Sequence, residues 1–85
     1  MRFTIEQRHL TDVAGKPIQT STLTFHVREA ETVEDAVHLF ITDADAEVIG
    51  NVLKFPGFQA MATVRDSSGV STLQIAPTSE HRKPG

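Results

Sequence analysis

Cysteine is absent from this chain, and so are tryptophan and tyrosine. Without a thiol there is no disulfide and no thiolate metal site, so a small core has neither reinforcement open to it. Five phenylalanines make up the whole aromatic complement, leaving few rings to stack on unpaired bases once a core is built. No apolar run approaches the ~18 residues that span a bilayer; Leu39-Phe40-Ile41 and Ala60-Met61-Ala62 are typical of the longest. Met1 to Glu6 carries charge where a secretory signal needs an apolar run. The cytoplasm is therefore the expected compartment, with no membrane contact. Catalytic signatures are missing too: there is no Gly-x-Ser-x-Gly, phosphate loop, dinucleotide fingerprint or His-Glu-x-x-His. With 85 residues, little room remains beside a core for a pocket of the usual ~300 Å³ or more. These absences point away from an enzyme and require no cofactor.

What remains is an ordinary globular mixture: 39% hydrophobic, 22% charged, with Lys+Arg 8 against Asp+Glu 11 for a formal charge of −3. One domain is the most such a length supports, with stability near the low end of ~5 kcal/mol.

Alternation marks the first strand, where Phe3 and Ile5 stand between Arg2, Thr4, Glu6 and Arg8. Asp12, Gly15 and Pro17 make a turn. The segment Thr20 to Arg28 alternates most clearly, with Leu23, Phe25 and Val27 on one side and Thr22, Thr24, His26 and Arg28 on the other. A hairpin that sets Phe3 opposite Phe25 and Ile5 opposite Leu23 unites the two apolar rows.

From Thr32 the period becomes helical, through Val33, Ala36, Val37, Phe40, Ile41, Ala44 and Val48. Thr32 followed by Asp35 has the form of a capping box, and Glu31, Glu34 and Asp35 suit a helix N-terminus. Gly50-Asn51 is the expected stop; an earlier break near Thr42 is the alternative, because Asp43, Asp45 and Glu47 are unfavourable in a C-terminal turn. Val52 to Phe58 then forms a connector around Pro56-Gly57. Strands over Phe58 to Arg65 and Val70 to Ala76 flank the turn at Asp66-Ser67-Ser68-Gly69. The expectation is an α+β domain over residues 1–77 of ββαββ plan, one helix on one face of a four-stranded, mainly antiparallel sheet, followed by a flexible polar tail over 78–85. Two strand orders suit this plan: first beside third in an all-antiparallel sheet, or first paired with last in parallel as in a β-grasp.

Strand parity then sets the uncovered face, with Arg2, Arg8, Arg28 and Arg65 against Glu6 alone, and with His26 among its polar residues. From Glu29 to Glu47 there are seven acids and no Lys or Arg. This two-sidedness has a bland reading, a solvated sheet and a solvated helix. Its functional reading is self-association or a protein partner, through Arg2, Arg8, His26, Arg28 and Arg65 on the sheet and Asp43, Asp45 and Glu47 on the helix. The alternative is an anionic ligand or a nucleic acid on the same arginines, for which the missing surface aromatics are a poor sign. A one-residue bulge would flip part of any strand and weaken all of these.

The histidines do not converge in this reading. His9 follows Phe3 and Ile5, His26 faces the other way, His38 lies toward solvent and His81 is in the tail, so no metal site is expected. Asp43-Ala44-Asp45-Ala46-Glu47 has the alternation of a calcium loop, but Val48 stands where it needs Gly and Lys54 where it needs Glu. Ser67, Ser68 and Ser71 belong to ordinary turn chemistry. Phe55 either plugs the end of the core or joins Leu39, Leu53 and Ile49 in an exposed apolar interface.

Overall fold

The computed structural model describes residues 1–78, without the side chains of 19–21. Its elements are β1 (Arg2–Thr11), β2 (Pro17–Glu29), α1 (Val33–Ala44), β3 (Glu47–Phe55), β4 (Gln59–Asp66) and β5 (Gly69–Pro77). They form one five-stranded sheet of order β2-β1-β5-β4-β3, with every neighbouring pair antiparallel. The α+β class stands, but the four-stranded ββαββ plan is corrected to ββαβββ. Neither expected strand order occurs. The first and last strands are neighbours, as in a β-grasp, yet they run antiparallel.

The additional strand is β3, and the helix ends early to make room for it. Asp45 takes the left-handed conformation (φ 55°, ψ 45°), and its N–H closes on the Ile41 and Thr42 carbonyls. Aspartate tolerates this conformation better than most side chains, and the acids 43–47 weigh against further helical turns. The other end forms as its sequence indicates, with the Asp35 N–H donating to Thr32 Oγ1 at 3.1 Å. Between Ile49 and Leu53 the β3–β4 register shifts, with Gly50 at φ 81°. That irregularity breaks the alternation that would have marked residues 47–55 as a strand.

The core lies between α1 and the sheet. Val33, Ala36, Val37 and Phe40 pack against Phe3, Ile5, Ala60, Val64, Leu73 and Ile75. A 12-residue helix is about 18 Å long and 10 Å wide. Five strands span about 19 Å between their outer axes. The helix therefore covers part of one face, and the other face is left open. No helix among the described residues is long and apolar enough to cross a membrane.

The β1–β2 hairpin holds the main departure from expectation. Thr11 pairs with Pro17, and continuing that register would bring Ile5 to Leu23 and Phe3 to Phe25. Instead His9 pairs with Thr22, Ile5 with His26 and Phe3 with Arg28. Strand β2 carries three more residues than β1 between these pairings, and an odd insertion reverses the face of everything beyond it. Leu23, Phe25 and Val27 consequently point away from the helix, and Thr24, His26 and Arg28 point toward it.

At the other end of the expected domain, Thr78 is tied to β1 rather than loose: its N–H donates to the Arg2 carbonyl at 2.8 Å. The remainder of the expected tail lies outside the described residues.

Candidate functional site

The open face has a polar centre and apolar margins. On the β2 margin, Leu23, Phe25 and Val27 are 41%, 61% and 50% exposed. On the opposite margin, Leu53 pairs with Met61 and Phe55 with Gln59 on the same face, and both Leu53 and Phe55 are exposed. A groove of about 440 Å³ crosses the face between Glu6 and Phe55, floored by Met61, Gln74 and Ala76. Leu39 is on the helix, in the other layer, so the expected patch of Leu39, Leu53 and Phe55 is divided.

The expected arginine face is also corrected. Arg2, Arg8 and Arg65 do lie on the open side, but Arg28 is on the helix side and donates from Nε to Asp43 Oδ2 at 3.0 Å. Each remaining arginine has an acid beside it: Arg2 with Glu29 at 3.3 Å, Arg8 with Glu6 at 3.9 Å and Arg65 with Glu47 at 3.3 Å. Among the described residues, these three cations and three anions balance on the face. Nor do the acids form one helical surface: Asp43 closes α1, Asp45 caps it and Glu47 begins β3.

On the helix side, beyond the C-terminal end of α1, a polar cleft of about 340 Å³ opens beside Phe40 and Asp43. Simple strand parity separates His9 from His26; the insertion in β2 brings them to the same side. A hydrogen-bond chain links them. His26 Nε2 is 2.9 Å from Gln7 Oε1, and Gln7 Nε2 donates to Ser71 Oγ at 3.1 Å. Ser71 Oγ is 3.4 Å from His9 Nδ1, and His9 Nε2 is 3.2 Å from Thr24 Oγ1. Gln7 and Ser71, at 5% and 1% exposed, are the buried polar residues among those described. The Ser71 hydroxyl has no open path to a substrate, so its proximity to His9 does not make it an available nucleophile.

Electrostatics distinguishes the two ends of this cleft. Burial, then the Arg28 charge, then His9 hold the His26 pKa below the ordinary histidine value. Burial works against the Asp66 carboxylate, but hydrogen bonds from the Ser68 side chain and backbone, His9 nearby and the Gly69 N–H keep its pKa low. On the far side of the helix, a hydrogen bond from Lys54 lowers Glu34, aided by its own backbone and the Lys54 charge.

Sequence reasoning passed over Gln7, although it continues the inward parity of Phe3 and Ile5. Ser71 likewise continues the parity of Leu73 and Ile75. Polar residues at inward positions of neighbouring strands were the available signal; His26 was hidden by the register shift. His38 is exposed on α1, and His81 lies outside the described residues. Comparison of the chain with family models, with curated proteins and with solved structures finds no match.

Proposed function

We propose that this chain is a non-enzymatic interaction module that pairs with a second copy of itself through the open face of its sheet. The observation that carries the reading is the ridge of Leu23, Phe25 and Val27, turned away from the core by an insertion that turns polar residues inward. Each is already about half buried, so removing the rest from water on association is favourable by about 1 kcal/mol each. An identical partner suits the face for three reasons.

The described charges of the face are balanced within each copy, so the two faces meet without like-charge repulsion between them, although each chain is −3 overall. Its layout is compatible with a twofold axis: an axis along the strands sets one copy's β2 margin over the other's β3 margin, and an axis across them sets like on like. Apolar margin meets apolar margin in both, and in the first Phe25 faces the Phe55 side of the groove reciprocally. Its size is sufficient, since five strands of about seven residues present roughly 550 Å² per copy, or ~1,100 Å² for the pair.

The same ion pairs weaken the reading of an anionic ligand or nucleic acid on Arg2, Arg8 and Arg65, because any phosphate must displace an acid already beside each guanidinium. Sedimentation velocity at low and high salt tests the proposal, with interference optics because Tyr and Trp are absent. A dimer that persists at high salt and dissociates in Phe25→Ser, with an unchanged circular dichroism spectrum, is the expected result. A monomer at both salts, a dimer lost on adding salt, or a Phe25→Ser dimer as tight as the parent would overturn it.

A further inference from the structure

We propose that His9 and His26 form a single proton-binding unit, in which the chain through Gln7 and Ser71 accepts one added proton but resists a second. The constraint comes from counting donors. Ser71 has one hydrogen to give and Gln7 has one carbonyl oxygen and one NH₂, and both are buried.

When His26 donates from Nε2 to Gln7 Oε1, the Gln7 NH₂ donates to Ser71 and the Ser71 hydroxyl donates to His9 Nδ1. His9 is then neutral, with its hydrogen on Nε2 toward Thr24, and an added proton has a place only on His26 Nδ1. When His9 carries the proton, its Nδ1–H donates to Ser71 and the Ser71 hydroxyl turns to Gln7 Oε1. The Gln7 amide rotates by half a turn and its NH₂ donates to His26 Nε2. His26 must then be neutral, with its hydrogen on Nδ1. Charging both rings leaves Gln7 and His9 donating to the same Ser71 oxygen, and the Ser71 hydrogen has no acceptor in the chain. An unmade bond of this kind at a buried group is costly.

Different charges stand beside the two rings. Arg28 from β2 faces His26, and Asp43 at the end of α1 is engaged with Arg28. Asp66 from β4 faces His9, and β5 contributes the uncharged Ser71. Both rings, Arg28 and Asp66 line one cleft, and a proton held at the His9 end reverses the direction of every bond between the two rings. Two rings on neighbouring strands would repel when charged in any case, but repulsion alone does not change the tautomer of the neutral ring. That change is the signature of the chain.

Imidazole ¹⁵N shifts recorded through an acid titration test it. As one ring charges, the other is expected to stay neutral for at least about one further pH unit and to move its hydrogen from Nε2 to Nδ1. In Gln7→Leu and Ser71→Ala the tautomer change should vanish, and in Thr24→Val, which leaves the link intact, it should remain. If the neutral ring keeps its tautomer while its neighbour charges, or both rings charge together in the unaltered protein, the proposal is wrong. The unaltered protein decides the matter even if a variant fails to fold. The chain lies on the opposite face from the Phe25 ridge, so either result is separable from that of the pairing experiment.

Discussion

The His26 ring stands edge-on to Phe40, with centroids 4.9 Å apart and planes inclined by 65°. This contact joins an edge strand to the only helix among the described residues, and it exists because β2 presents its polar side inward. Phe40 is 2% exposed and belongs to the core. Phe40→Ala should cost about 3–5 kcal/mol, most of the stability of a domain this small, and urea unfolding should find it largely unfolded. Phe40→Leu should fold. A Phe40→Ala protein with a nearly unchanged urea midpoint would refute this placement of the helix.

Charge reversal separates two arginines that strand alternation places together. Arg28 reaches Asp43 across the sheet–helix boundary with its side chain 28% exposed, whereas Arg65 and Glu47 are 57% and 67% exposed. Arg28→Glu should lower stability by about 1 kcal/mol or more, because it sets a carboxylate against Asp43 and desolvates it in part. Arg65→Glu should change stability by roughly half that or less. Equal urea midpoints for the two variants would contradict the assignment of Arg28 to the helix side.

Legibility followed the regularity of the backbone. The strands with Phe3 and Ile5, with Ala60, Ala62 and Val64, and with Leu73 and Ile75 follow uninterrupted alternation, and Thr32 caps α1 as its spacing indicates. Two backbone irregularities depart from simple alternation. In β3 the register shift between Ile49 and Leu53 breaks the period of two, and Val48 continues a helical stripe by coincidence. In β2 the alternation is real, but the insertion between Pro17 and Thr22 reverses its direction. Nothing in Leu23, Phe25 and Val27 records which way they face, because that is fixed by the pairing of another segment. The polar chain was lost for the same reason, since His26 meets Gln7 only after the reversal.

Gly69 is predicted to be the most sensitive glycine in the fold. It has φ +125°, and a Cβ there would lie 2.3 Å from the Thr11 carbonyl oxygen and 2.7 Å from that of Asp12. The obstacle is backbone of the β1–β2 hairpin, which cannot swing aside as a side chain can. Gly69→Ala should destabilise by about 2–3 kcal/mol or more, combining conformational strain with a displaced turn. Gly50, at φ +81° with nothing within 4 Å, carries the conformational cost alone, about 1–2 kcal/mol for alanine. Thermal unfolding of the two variants at one protein concentration gives the comparison. A Gly50→Ala midpoint at or below that of Gly69→Ala would mean that the two hairpins are not pressed together.

Stability should fall in mildly acid solution because of His26. Burial, Arg28 and His9 lower its folded pKa below the value of about 6.5 expected in the unfolded chain. As pH drops through about 6.5, the unfolded chain takes up a proton at this position before the folded one does, and equilibrium shifts toward unfolding. The contribution is present in full above the unfolded value and is lost as pH falls through the folded one. Asp66 and Glu34, also lowered in the fold, act with the same sign but only near and below about pH 4. The loss should therefore occur in two steps, and the upper one belongs to the imidazole. Urea midpoints at pH 7.5, 6.5 and 5.5 should decline in the parent and stay more nearly level in His26→Gln, whose amide can still donate to Gln7 but does not titrate. A decline of the same size in that variant would assign the upper step to another group.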